Sequence, residues 1–111
     1  MKAREKAKRC LEDSWKQIGL LKALEVSGRS MGDALPDGSL AYIRYGACKT
    51  LRHGALVLFR HGEQRIVHRL LFRFGPLFVE KGDANRYPKI RWTKELLGTV
   101  EHMDWTLSKG E

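Results

Sequence analysis

What most limits the folds open to this chain is its punctuation. From Leu40 onward, short runs of apolar, β-branched and aromatic residues follow one another, each set off by a turn rich in glycine. Leu35-Pro36-Asp37-Gly38-Ser39 turns into Leu40-Ala41-Tyr42-Ile43-Arg44-Tyr45. Gly46 to Gly54 reads as a polar connection, and Ala55-Leu56-Val57-Leu58-Phe59-Arg60 is a continuous apolar run of the kind that fills a buried strand. His61-Gly62-Glu63-Gln64 sends the chain back through Arg65 to Phe74, and Gly75-Pro76 turns it again into Leu77-Phe78-Val79-Glu80. The turn-rich loop Lys81-Gly82-Asp83-Ala84-Asn85 follows, and Leu96 to Met103 supplies a last strand. Runs this short predict strands, and strands joined by tight turns predict a mainly β, antiparallel domain.

Only the N-terminal part departs from this pattern. Between residues 2 and about 22, Ala3, Ala7, Cys10 or Leu11, Trp15, Ile18 and Leu21 recur at steps of three and four, which predicts an amphipathic helix. Its apolar stripe is expected to pack on the domain. A second use, resting its basic face on anionic lipid, is weakened by Glu5, Glu12 and Asp13. Leu20 to Val26 begins the first strand, so the chain divides into a basic helix, 1–23, and a β domain, 24–111. A chain of 111 residues with 42% hydrophobic residues can bury a modest core without staples. Its net charge of +8 favours anionic partners such as nucleic acid, lipid head groups or acidic peptides, and leaves the fold open.

Cys10 and Cys48 are too few for a disulfide framework and have no CxxC partner, so both read as free thiols of a reducing compartment. The basic opening leads into no apolar signal core, and no segment approaches the ~18 apolar residues of a membrane span. These features predict a cytoplasmic protein, at most peripheral to the inner face of the membrane.

Chemistry concentrates in Val26-Ser27-Gly28-Arg29-Ser30-Met31-Gly32-Asp33-Ala34-Leu35, where a strand-like approach runs into a small turn carrying Ser30. A serine hydroxyl is a weak nucleophile unless a neighbouring base takes its proton. His68 interrupts the apolar run Arg65–Leu71, and Asp83 sits in the loop Glu80–Asn85. Singly, these are ordinary residues: a turn serine, a hydrogen-bonded core histidine and a turn-forming aspartate. His53, His61 and His102 lack metal-ligand spacing, and no phosphate-cradling glycine loop is present, so neither metal nor cofactor is expected.

In order along the chain, however, the motifs resemble those of type I signal peptidases. Gly28-Arg29-Ser30-Met31 followed by Ala34-Leu35 is similar to their serine box, G-x-S-M-x-P-T-L. Gly54 to Phe59 is similar to their G-D-I-V-V-F strand, Glu80 to Asn85 to their T-K-G-D-N-N loop, and Leu97-Gly98-Thr99-Val100 to their I-G-x-V strand. Ile66-Val67-His68-Arg69 resembles the box of the catalytic base, which is lysine in bacterial enzymes and histidine in archaeal and endoplasmic-reticulum ones. The resemblance covers residues 24–101 and has departures. Asp33 and Ala34 replace the Pro and Thr of the serine box, Gly38-Ser39 replaces Gly-Asp, and the membrane anchor has no counterpart. Arg86-Tyr87-Pro88-Lys89 offers no acid where some histidine-type members have an aspartate.

The resemblance implies a signal-peptidase-like β fold and a serine endopeptidase acting on a leader or precursor peptide. Ser30 would be the nucleophile, its own N–H helping to hold the oxyanion in the turn where Gly28 leaves room for a substrate strand to approach, and His68 would be the general base. Asp83 would hold the imidazole, and Met31 and Val67 would flank a substrate bound as an extended strand. Lys81 is an alternative base, as in a Ser-Lys dyad. A rival reading is an inert basic domain on the same fold, its Arg60, Arg65, Arg69, Arg73, Arg86 and Arg91 forming a face for nucleic acid. A third is self-cleavage, as in the phage-type repressor peptidases.

Overall fold

The computed structural model describes residues 2–46, 48 and 52–104. One helix, α1 (Ala3–Ile18), precedes seven strands: β1 (Leu21–Glu25), β2 (Leu40–Tyr45), β3 (Leu56–His61), β4 (Gln64–Phe74), β5 (Leu77–Lys81), β6 (Lys89–Trp92) and β7 (Leu96–Asp104). They form one sheet in the order β1-β2-β7-β3-β4-β5-β6, with every neighbouring pair antiparallel. The architecture is mainly antiparallel β with an N-terminal helix, as the punctuation predicts. Strand β6 has no counterpart among the predicted runs. Its Lys-Ile-Arg-Trp is short, follows Pro88 and leaves Ile90 and Trp92 exposed, so little in the sequence marks it.

The core explains why Ala55–Arg60 reads as uninterrupted apolar sequence. Strand β3 is buried on both faces. Val57 and Phe59 pack with Leu70, Phe78 and Leu96, while Leu58 packs with Ala41, Ile43, Tyr45 and Leu97. Register shifts interrupt three of the strand pairings, and such bulges bend and twist a sheet locally. The one in β4 matters most here. Phe74 faces Leu77, Arg73 faces Phe78 and Phe72 faces Val79, but beyond Leu71 the register slips and Leu70 faces Glu80.

Helix α1 stops at Ile18, earlier than its periodicity predicts, because Gly19 takes a left-handed conformation (φ 67°) and donates its N–H to the Trp15 carbonyl. The predicted apolar stripe is not the face that α1 buries. Leu11 and Ile18 are 52% and 72% exposed and Cys10 is exposed, whereas Glu5 and Glu12 are buried. Trp15 alone follows the expectation, packing edge-on to Tyr45 at 5.2 Å. The glutamates go inward because arginines of the sheet receive them. Arg65 donates to Glu12 at 2.7 and 2.8 Å and to Glu5 at 2.9 Å, and Arg60 lies 3.8 Å from Glu12. Among the described residues no helix is long and apolar enough to cross a membrane.

Candidate active site

After β1 the chain leaves the sheet in a loop closed at its base by two backbone hydrogen bonds, Val26 N–H to Ser39 at 2.8 Å and Gly38 N–H to Val26 at 2.7 Å. Within it, Gly28 sits at φ 98° and donates its N–H to the Asp37 carboxylate at 2.8 Å, and buried Met31 and Leu35 anchor the following turn. The Ser30 carbonyl accepts the Ala84 N–H at 2.7 Å, which ties the serine loop to the loop after β5.

That tie delivers Ser30 to the sheet. Its Oγ lies 2.9 Å from His68 Nε2, and His68 Nδ1 lies 2.5 Å from Glu80 Oε1. The second carboxylate oxygen of Glu80 accepts the Nε–H of Arg91 at 2.9 Å. Strand geometry accounts for the alignment. Leu70 and Glu80 face each other, so His68, two residues from Leu70, projects on the same side of the sheet as Glu80. Arg91 faces Phe78, two residues before Glu80, and projects on that side as well. Both partners of Glu80 therefore reach it diagonally, one from each flanking strand.

Glu80 is 1% exposed and His68 7%. Burial opposes ionisation of the Glu80 carboxyl, but hydrogen bonds from His68 and Arg91, together with their charges, outweigh it and hold the group below the ordinary carboxylate range. A carboxyl depressed by folding contributes stability above its unfolded pKa and loses it as pH falls through the folded value. Wild-type unfolding free energy should therefore fall as pH drops below ~4.3. Glu80→Gln should weaken that dependence, and urea unfolding between neutral and acid pH measures both. Equal slopes would show that Glu80 is not ionised by its two partners.

The predicted acid, Asp83, stands elsewhere, and here the structure corrects the expectation. Its carboxylate accepts two hydrogen bonds from Arg69, at 2.8 and 2.7 Å, and that pairing holds it below the usual range. Arg69 is itself fixed by the Gly54 carbonyl at 2.8 Å. The carboxylate on the imidazole is that of Glu80, three residues earlier. Lys81 turns its ammonium to the Gly82 carbonyl at 3.3 Å, and it is His68 that meets the serine. Gly82 lies against the pair: a Cβ there would fall 2.6 Å from the Ser30 carbonyl oxygen and 2.9 Å from His68 Nε2.

A groove of about 760 Å³ opens beside Ser30 and His68. Lys22 and Leu24 of β1 and Gln64 to His68 of β4 line it, and Gly28, Met31 and Val67 are among its walls. Lys8, Glu12 and Trp15 bring α1 into the same groove. Strand β1 ends the sheet order, so its outer edge is unpaired among the described strands. The arginines proposed as an anion-binding face are largely engaged within the molecule. Arg60 pairs with Asp13, Arg65 with Glu5 and Glu12, Arg69 with Asp83 and Arg91 with Glu80.

The family model described as Peptidase S24-like matches residues 4–100, taking in α1 and the sheet through Val100. The chain belongs to the Peptidase S24-like family. No curated protein matches it. S24-like and signal peptidases fall in one superfamily, so the resemblance to signal peptidases holds at that level, and the S24-like domain has a serine-peptidase fold. Within this S24-like chain, the groove, the serine and the histidine lie together.

Proposed function

We propose that the chain is a serine endopeptidase in which Ser30 is the nucleophile, His68 the general base and Glu80 the carboxylate that positions the base. The observation carrying this reading is the alignment Ser30 Oγ to His68 Nε2 at 2.9 Å and His68 Nδ1 to Glu80 at 2.5 Å. With Nδ1–H donated to Glu80, Nε2 keeps its lone pair for the serine proton. Ser30 Oγ adds to the scissile carbonyl as its proton passes to Nε2. The tetrahedral oxyanion collapses, the leaving amine takes the proton, and an acyl-Ser30 remains. Water, deprotonated by the same imidazole, then releases the acid and restores the serine. Such general-base help is worth about 10²–10⁴ in rate. Among the described residues no acceptor takes the Ser30 N–H, which suits it to the oxyanion.

The substrate of this reading is a leader or precursor peptide of the cytoplasm, bound in extended form in the groove against the open edge of β1. Self-processing is the special case in which the chain supplies that segment. Protein N-termini compared by mass spectrometry in cells producing wild type, Ser30→Ala or His68→Ala test the reading. New N-termini absent from both variants are expected, and their sequences would define the cleavage site. Identical N-termini in all three would overturn it.

A further inference from the structure

The carboxylate that holds His68 is itself held, and its second oxygen leads to a group outside the serine–histidine pair. We propose that Arg91 is a positioning residue for the reaction, fixing the rotamer and charge of Glu80 and through it the tautomer of His68. The inference rests on the peptidase reading above and extends it by one residue on an adjacent strand.

A carboxylate 1% exposed and met only by one imidazole has two ways to fail. It can rotate about its last torsion, or it can take up a proton, since burial favours the neutral form. Either failure lets Nδ1 give up its proton, and Nε2–H then points at the serine hydroxyl and cannot accept from it. Arg91 opposes both. Its Nε–H binds Oε2 at 2.9 Å while His68 occupies Oε1, so each oxygen has its own donor and rotation breaks both bonds. Its guanidinium beside the carboxylate favours the ionised form, so Glu80 remains an acceptor.

Arg91 is fixed in turn by strand β3. The guanidinium lies 5.3 Å from the Phe59 ring centre, and its Nη1 binds His61 Nδ1 at 2.9 Å. Only 15% of its side chain is exposed. A lysine has the charge but lacks the fork that joins Glu80 to His61. The other charges around the pair come from the end of β5 and the loop after it: Lys81 points to the Gly82 carbonyl, and Asp83 is spent on Arg69. Arg91 is the cation bound to Glu80.

The test uses wild type, Arg91→Met and Arg91→Lys, with Ser30→Ala as control, and follows acylation of the serine by a fluorophosphonate. Arg91→Met is expected to lower the maximal acylation rate by about 10²-fold with the apparent probe affinity unchanged, and to move the acid limb of the pH–rate profile upward. Arg91→Lys should restore the limb and part of the rate. Unchanged rate and limb in Arg91→Met would overturn the proposal, as would a loss that follows the folded fraction with the limb in place.

A second readout does not require a reactive serine. Nitrogen-15 spectra of imidazole-labelled protein report the His68 tautomer directly. Nδ1–H in wild type and a shift toward Nε2–H in Arg91→Met support the role, while one tautomer in both refutes it. Labelling that is absent from wild type, or equal in Ser30→Ala, instead counts against the peptidase reading, and the tautomer still decides Arg91.

Discussion

Gly82→Ala should lower serine acylation by about 10²-fold or more, the cost of displacing a reacting group by about an ångström. The added methyl would sit 2.6 Å from the Ser30 carbonyl oxygen, 2.8 Å from the Asn85 amide nitrogen and 2.9 Å from His68 Nε2. The Asn85 side chain can turn away; the other two cannot move freely. The imidazole is buried and pinned from behind by Glu80, and the Ser30 carbonyl is bound to the Ala84 N–H. Whichever yields, the 2.9 Å contact between Ser30 Oγ and Nε2 opens. Overpacking of this kind costs about 1–3 kcal/mol of stability, so the variant should remain folded while losing its chemistry. Fluorophosphonate labelling beside thermal melting separates the two effects. Gly46→Ala, where a methyl meets nothing within 4 Å, is the control. Normal labelling of Gly82→Ala would mean that the serine and histidine do not work at this separation.

The second large effect concerns stability. Arg65→Met leaves Glu12, whose side chain is 2% exposed, without its two-point partner. Breaking one side of a buried ion pair costs about 3–5 kcal/mol, because the remaining charge stays out of water without compensation. Arg60, 3.8 Å away, offers contact but no equivalent hydrogen bond. Urea unfolding should show the loss, and adding Glu12→Gln should recover much of it by removing the stranded charge. A loss below about 1 kcal/mol would place the pair with exposed ones. Because Glu12 and Trp15 line the groove, loosening α1 should also alter the groove wall.

How much of this was legible in the sequence differs from element to element. The strands announced themselves where a β run ended at glycine, and Ser30 and His68 stood out because each breaks a local pattern. Strand β6 did not, since its four residues gain their place by pairing with β5. The inward face of α1 was misleading for a related reason. Hydropathy counts Glu5 and Glu12 as solvent-seeking, and their arginine partners are 60 and 53 residues away along the chain. Glu80 was hidden by register. A regular hairpin continued from the Phe74–Leu77 pair would set Asp83 opposite His68 and turn Glu80 to the other side of the sheet. The extra residue at Leu71 reverses that outcome, and no propensity at Leu71 betrays it.

That bulge makes the identity of the acid a matter of counting. Two carboxylates, Glu80 and Asp83, lie three residues apart and so on opposite faces of a regular strand, and one residue of strand length selects which of them meets the imidazole. Substitution of either acid is therefore not the only route by which descendants of this chain could exchange it. Gain or loss of a single codon near Leu71 would exchange the carboxylate that shares a face with His68, with both still written in the gene. Alignments that slide a gap through this hairpin would then assign the wrong acid to the right histidine, and only the strand pairing tells them apart.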